Sequence, residues 1–343
     1  MKKSSLFLVF IMMGILLFFN CPTQQSSGGG DSDSNSNGEE EQTGFQNTWT
    51  NLNPSTIPAA RRMHSMAYVG NNKIILFGGA SGGGSWYDDT IEYNIISNTW
   101  TLLFPTGSPS ARGGHSMVYV GNNKITLFGG GDAHSNNETW EYNVELNTWT
   151  LLFPATSPSA RHRHSMVYVG DNKIILFGGN DSGGDLCDDT WEYNVVSNTW
   201  TELSPATKPS ARRELSMVYA GNNKIILFGG YDGVSYNGDT MEYNVTSNTW
   251  SNLNPATNPS GRFAHSMVYV GNNKIILFGG YRGGENDETW EYNVASNTWT
   301  DLNPVVKPSG RRYHSMAYTE NNRIILFGGY YGSHNTDETW EYK

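Results

Sequence analysis

Six arginines recur in near-identical surroundings, Arg61, Arg112, Arg161, Arg212, Arg262 and Arg311, and the two residues after each of them differ every time. The pairs are Arg62-Met63, Gly113-Gly114, His162-Arg163, Arg213-Glu214, Phe263-Ala264 and Arg312-Tyr313. Arg62, Arg163, Arg213 and Arg312 thus bring four guanidinium forks to equivalent positions. A planar fork of N–H donors matches the geometry of a carboxylate or sulfate. Glu214 and Tyr313 add an acidic and a phenolic group to the same slots. Further candidates lie in the segments 80–89, 131–138, 180–189, 231–239, 281–288 and 330–338, which carry Trp86, Tyr87, His134, Tyr231, Tyr236, Tyr281, Arg282, Tyr330, Tyr331 and His334. Aromatic and arginine side chains give large contact areas at modest entropic cost, which suits recognition.

Other chemistries find less support. The six repeated arginines are each followed by an acid, Asp89, Glu138, Asp189, Asp239, Glu288 or Glu338, and a structural ion pair is the economical reading. His64, His115, His164, His265 and His314 share one slot, but Leu215 fills it in the fourth unit. A slot that accepts leucine is a packing slot, and zinc needs ligands that converge on one point. No metal and no cofactor is expected. The sequence holds no Gly-x-Ser-x-Gly, His-Glu-x-x-His or phosphate loop.

The elements that must position these residues are written six times, at a period of about 50 residues. Ser65 to Val69 and Lys73 to Phe77 read as two strands, with Gly70-Asn71-Asn72 supplying the left-handed positions of a hairpin. Thr90 to Asn94 and Asn98 to Leu102 read as a third and fourth strand. A double glycine closes each second strand, at Gly78-Gly79, Gly129-Gly130, Gly178-Gly179, Gly229-Gly230, Gly279-Gly280 and Gly328-Gly329. The second glycine is expected at positive φ, leaving room for a bulky neighbour such as the repeated Trp.

An apolar run, Gly-Gly, a Tyr and then a Trp seven residues on (Tyr93 to Trp100, Tyr142 to Trp149, Tyr193 to Trp200, Tyr243 to Trp250, Tyr292 to Trp299) resembles the kelch repeat. The resemblance covers residues 45–343 and implies an all-β kelch-type propeller with four antiparallel strands per blade. Fourth-strand tryptophans at 49, 100, 149, 200, 250 and 299 count six blades. The chain opens with a lone fourth strand near Trp49 and stops after a third, so the N-terminal strand is expected to close the last blade and leave no sheet edge open. In kelch-type blades the first strand is innermost, which implies that the variable pairs ring the pore mouth.

Spacing within the unit locates the variation. Trp to the next Arg is always 12 residues and Arg to Gly-Gly always 17, while the second Gly to Tyr ranges from 12 to 14. All length variation falls between strands two and three, on the face shared with the entry to strand one, and binding residues concentrate on such loops.

Residues 1–21 read as a signal peptide: Lys2-Lys3, then an apolar run from Leu6 to Phe19 ending at Cys21. The run resembles a bacterial lipoprotein signal, although Phe18-Phe19-Asn20 replaces the usual Leu and small residues, and it implies lipidation of Cys21 and an extracytoplasmic, membrane-anchored protein. Residues 22–44 are polar and carry Asp31, Asp33, Glu39, Glu40 and Glu41, the composition of a disordered tether. The formal net charge of −10 and the lack of a basic run argue against nucleic acid as partner. With Cys21 lipidated, Cys187 has no disulfide partner.

Six near-copies make a poor enzyme, because catalysis needs different groups with different pKa values at set places. The expectation is therefore a monomeric, tethered binding module recognising a protein segment or glycan through the variable face. Among kelch-like enzymes, galactose oxidases use copper and a Tyr–Cys crosslink, for which Cys187 has no neighbouring Tyr in its loop. A six-bladed periplasmic kelch family that epimerises sialic acid is the alternative, with an Arg and Glu214 in the pore mouth.

Overall fold

The computed structural model describes residues 46–132 and 134–343, so the expected signal segment, Cys21 and the tether lie outside the described residues. Each unit begins with a hairpin whose turn the sequence dictates. Gly70, Asn71 and Asn72 take φ of 83°, 50° and 59°, where glycine and asparagine meet the least steric cost. The strands Ser65–Tyr68, Lys73–Phe77, Thr90–Asn94 and Thr99–Leu103 follow one another as a four-stranded antiparallel sheet. Five further sheets of the same order complete an all-β, six-bladed propeller.

The second strand of each blade is buried on both faces, as Ile74 to Phe77 illustrate, all four apolar and fully buried, and in the second blade it includes one buried polar residue, Thr126. They are buried because the blades stack face to face. Ala67, Ile75 and Phe77 of the first blade join Met117, Ile125, Leu127, Tyr142 and Trp149 of the second in one core cluster. Every fourth-strand tryptophan also crosses to its neighbour. Trp149 Nε1 donates to Thr90 Oγ1 at 3.0 Å, and Trp200 to Thr139, Trp250 to Thr190 and Trp299 to Thr240 repeat the bond.

The ring closes as the sequence implies. Trp49–Asn51 pairs with Thr339–Tyr342, Trp49 opposite Tyr342, the register that sets Trp100 opposite Tyr93. Tyr342 Oη donates to Asn47 Oδ1 at 2.9 Å, reproducing across the seam the Tyr93–Asn98 bond made within a blade.

Both glycines of each pair adopt positive φ, 65° at Gly78 and 103° at Gly79. The room they leave is not for tryptophan. A Cβ at Gly78 would lie 2.6 Å from the Arg112 carbonyl oxygen, and one at Gly79 would lie 2.9 Å from that of Arg62 and 3.0 Å from His64 Cβ. The glycines are required because the chain entering the first strand crosses directly over them.

The repeated arginine ties that crossing together. Arg61 Nη1 donates to the Gly78 carbonyl at 2.9 Å, Nε to the Ala59 carbonyl at 3.0 Å, and the fork grips Asp89 at 2.6 and 2.8 Å. All six arginines pair with the expected acid, and all six side chains are buried. The histidine slot packs as expected: His115 sits edge-on to Phe77 with centroids 5.4 Å apart, and Leu215 packs into the same cluster as Phe177. Burial, reinforced by the Arg112 guanidinium, pushes the His115 imidazole down to about 3.

Candidate functional site

After each buried arginine the chain spends one residue in an antiparallel bridge and the next in a left-handed conformation. The bridge residues Arg62, Gly113, His162, Arg213, Phe263 and Arg312 pair with Ala80, Gly131, Asn180, Tyr231, Tyr281 and Tyr330, each the residue after a double glycine. Strand-one entry and the variable loop are thereby zipped together on one face. The left-handed residues are Met63, Gly114, Arg163, Glu214, Ala264 and Tyr313, with φ between 56° and 67°.

These six form a collar. Met63 N donates to the Tyr313 carbonyl, Gly114 N to Met63, Arg163 N to Gly114, Glu214 N to Arg163, Ala264 N to Glu214 and Tyr313 N to Ala264, all at 2.6–3.0 Å. The circuit is closed, one bond per blade. Five of the six residues are not glycine, and the left-handed region costs an L residue about 1–2 kcal/mol. The ring bond and the flanking bridge offset that strain, and strain gathered at one place marks a functional candidate.

The collar surrounds a cavity of about 160 Å3, walled further in by the histidine slot. Glu214 is the buried centre of its polar side, its side chain 4% exposed. Arg163 Nη1 lies 3.0 Å from Glu214 Oε1, and Tyr313 Oη donates to the same oxygen at 2.9 Å. Burial first, and then the Glu214 charge, push the Tyr313 phenol well above its ordinary value, so it remains a donor.

The expected ring of four arginines at the pore mouth is therefore corrected to one. Only Arg163 belongs to the collar, and Glu214 neutralises it. Arg62, Arg213 and Arg312 sit one residue earlier, in the bridges, and their side chains lie along the outer loops instead. There they lie over tyrosines: Arg213 Cζ is 5.4 Å from the Tyr231 centroid, Arg312 is 4.4 Å from Tyr281 and 5.1 Å from Tyr330, and Arg62 is 4.9 Å from Tyr330.

The tyrosines join them into an arc over blades four, five, six and one. Phe263 is its hub, with centroids 6.0 Å from Tyr231, 5.5 Å from Tyr236, 5.3 Å from Tyr281 and 6.4 Å from Tyr313. Among the described residues Arg62 and Arg213 form no ion pair, and Arg312 Nε is 3.7 Å from Glu285 Oε1, beyond hydrogen-bond range. The guanidinium planes are held and oriented, yet their donors are not consumed by carboxylates.

The remaining candidates divide. Tyr87 is structural, its ring 4.1 Å from Arg61 Cζ. Tyr331 turns outward against His334, with centroids 5.9 Å apart, and Arg282 is exposed beyond the arc. Trp86 lies on the opposite half of the face. Phe263 is absent from the sequence-derived candidates, although its place in a variable pair was the signal that could have found it.

Two family profiles each match more than half of the chain, the KLHDC2/KLHL20/DRC7 Kelch-repeats domain over residues 28–208 and the Attractin/LZTR1 beta-propeller over residues 153–341. The chain belongs to the kelch-repeat β-propeller family. Among kelch relatives, human Kelch domain-containing protein 3 is 32% identical over 185 residues, 50% of this chain and 48% of its own. Arabidopsis thaliana Adagio protein 3 is 31% identical over 85 residues, 24% of this chain and 14% of its own, and the F-box/kelch-repeat protein At1g51550 of the same plant is 35% identical over 80 residues, 22% and 16%. The chain spans less than half the length of these relatives. Its kelch propeller supports a protein-interaction module.

Proposed function

We propose that this kelch propeller captures an acidic protein segment on the aromatic–arginine arc, and that lipidated Cys21 and the tether hold it to a bacterial membrane outside the cytoplasm, at the cell surface or in the periplasm. The observation that carries the reading is the set Arg62, Arg213 and Arg312, all stacked on tyrosines, of which Arg62 and Arg213 form no ion pair among the described residues and Arg312 only a long one to Glu285. Stacking lowers the entropy lost when a guanidinium clamps a carboxylate, and the rings exclude water around it. The alternative, a sugar-acid epimerase, needs Glu214 available to move a proton. That carboxylate already accepts from Arg163 and Tyr313.

An array of acidic, neutral and basic peptides probed with the protein tests the reading. Acidic peptides should be retained, weakening as salt rises, and Arg62→Ala, Arg213→Ala and Arg312→Ala should each weaken binding about tenfold, the effect of losing about 1.4 kcal/mol. Retention indifferent to all three substitutions would reject the arc, and catalysed anomer exchange of sialic acid lost in Glu214→Gln would favour the enzyme. Cys21→Ser should move the protein from the membrane to the soluble fraction.

A further inference from the structure

The half of the variable face away from the arc holds a cleft with a different chemistry. In the second blade both bridge residues are glycine, Gly113 against Gly131, whereas each other blade carries at least one side chain larger than methyl there. The missing side chains open a cleft of about 300 Å3, at the lower end of the about 300–1,000 Å3 typical of small-molecule sites.

Trp86 forms one wall. A Cβ at Gly113 would come within 2.4 Å of Trp86 Cζ3, so the indole edge lies against bare backbone, and the Trp86 main chain is itself bridged to Ala80. The opposite wall is His162 with the loop from Asn180 to Gly184, and Asp132, His134 and Ser135 complete the rim. These polar groups are held in place. His162 Nδ1 is 2.7 Å from Ser135 Oγ, and Asp181 Oδ1 accepts from the main-chain N–H groups of Gly183 at 2.8 Å and Asp185 at 3.0 Å. Burial, then the charges of Arg163 and Arg213, push the His162 imidazole down to about 4, so at neutral pH it offers one donor and one acceptor.

The lining selects a ligand class. One aromatic wall flanked by short hydroxyl, amide, imidazole and carboxylate groups suits a molecule with one apolar face and an edge of hydroxyls. Among the described residues Met63 and Trp86 are the large apolar side chains that line it. The Asp181 carboxylate borders the cleft, and the arginine among its described lining residues, Arg163, is paired with Glu214, so an anion is disfavoured. We propose that this cleft binds an uncharged pyranose sugar, its C–H face stacked on Trp86 and its hydroxyls on the polar wall. The cleft shares no lining residue with the arc.

Saturation-transfer NMR on the full-length protein tests this, with the methyl glycosides of glucose, galactose, mannose and N-acetylglucosamine as probes and sialic acid as a charged control. At least one neutral glycoside should receive transfer at its ring protons. Affinity should fall about tenfold, the equivalent of about 1.4 kcal/mol, in Trp86→Ala, which removes only the half-buried loop ring, and also in Gly113→Ala, which displaces that ring. Arg312→Ala should leave it unchanged. Silence from all four neutral glycosides, or transfer that survives both cleft substitutions, overturns the proposal.

Discussion

Trp49 and Thr289 stand 240 residues apart in the chain, yet Trp49 Nε1 donates to Thr289 Oγ1 at 3.0 Å in the buried seam between the last two blades. The bond is the same one that the other fourth-strand tryptophans make to their preceding blades, and it is made here by a strand from the opposite end of the chain. Deleting residues 45–52 removes a strand and a core tryptophan, whose truncation to alanine alone typically costs about 3–5 kcal/mol. The truncated protein should unfold at markedly lower denaturant. A midpoint equal to that of the intact chain would mean that the seam contributes nothing.

The arginine clamps should fail asymmetrically. Arg262→Met leaves Glu288 with only the Trp290 indole N–H and the Gly279 carbonyl without its Arg262 donor, and removing one member of a buried pair costs about 3–5 kcal/mol. Glu288 is 37% exposed, which places the effect toward the lower figure. Arg262→Lys restores charge without the fork and should recover less than half of the loss. Urea denaturation of both variants reads the difference.

Acid should weaken the fold from an unusually high pH. The His115 and His265 imidazoles are pushed down to about 3 by burial and then by a neighbouring arginine, and His64, His164 and His314 are lowered likewise. Unfolded histidine titrates near 6.5. Their contribution is therefore complete above about pH 6.5 and is lost as pH falls from there toward the folded values, because the unfolded chain takes up protons that the native one refuses. Each imidazole adds up to about 1.4 kcal/mol per pH unit to the slope. A second loss follows at lower pH. Burial alone would raise Glu288 and Glu338, but hydrogen bonds from Arg262 and Arg311 outweigh it and hold both below their ordinary value. His115→Leu, which copies Leu215, should flatten the slope between pH 6.5 and pH 4 in thermal melts.

The collar contains a coupled pair. Arg163→Ala leaves the buried Glu214 carboxylate with Tyr313 alone and should cost about 3 kcal/mol. Arg163→Ala with Glu214→Ala should recover most of that loss. Additive costs in the double-mutant cycle would show the two side chains to be independent.

The fold was legible because six copies of one sequence unit state the same strand, turn and core pattern, and the lone Trp49 strand declared how the ring ends. The arginine–acid clamps were equally legible, since both partners recur at fixed spacing. The geometry of the variable pairs was not. Whether Arg62 or Met63 faces the pore depends on one residue entering the left-handed region, and Met63, Arg163, Glu214, Ala264 and Tyr313 carry no local preference for it. The conformation is imposed by the neighbouring blade through the collar bonds. Phe263 was missed for a related reason: its importance comes from Tyr231, Tyr236 and Tyr281 converging on it across two blades. The expectation that tryptophan fills the space over the double glycines failed because that space belongs to main chain.

The collar bonds all run in one rotational sense, each amide pointing to the blade before it. Dipoles laid head to tail around a closed circuit cancel in the plane of the ring, unlike those of a helix, which accumulate at its ends. The circuit has no positive and negative end of its own, and the side chains hung on it, Arg163, Glu214 and Tyr313, set the mouth's charge and hydrogen-bonding character. Exchanging Arg163, Glu214 or Tyr313 would rewrite that character while the backbone circuit stays whole.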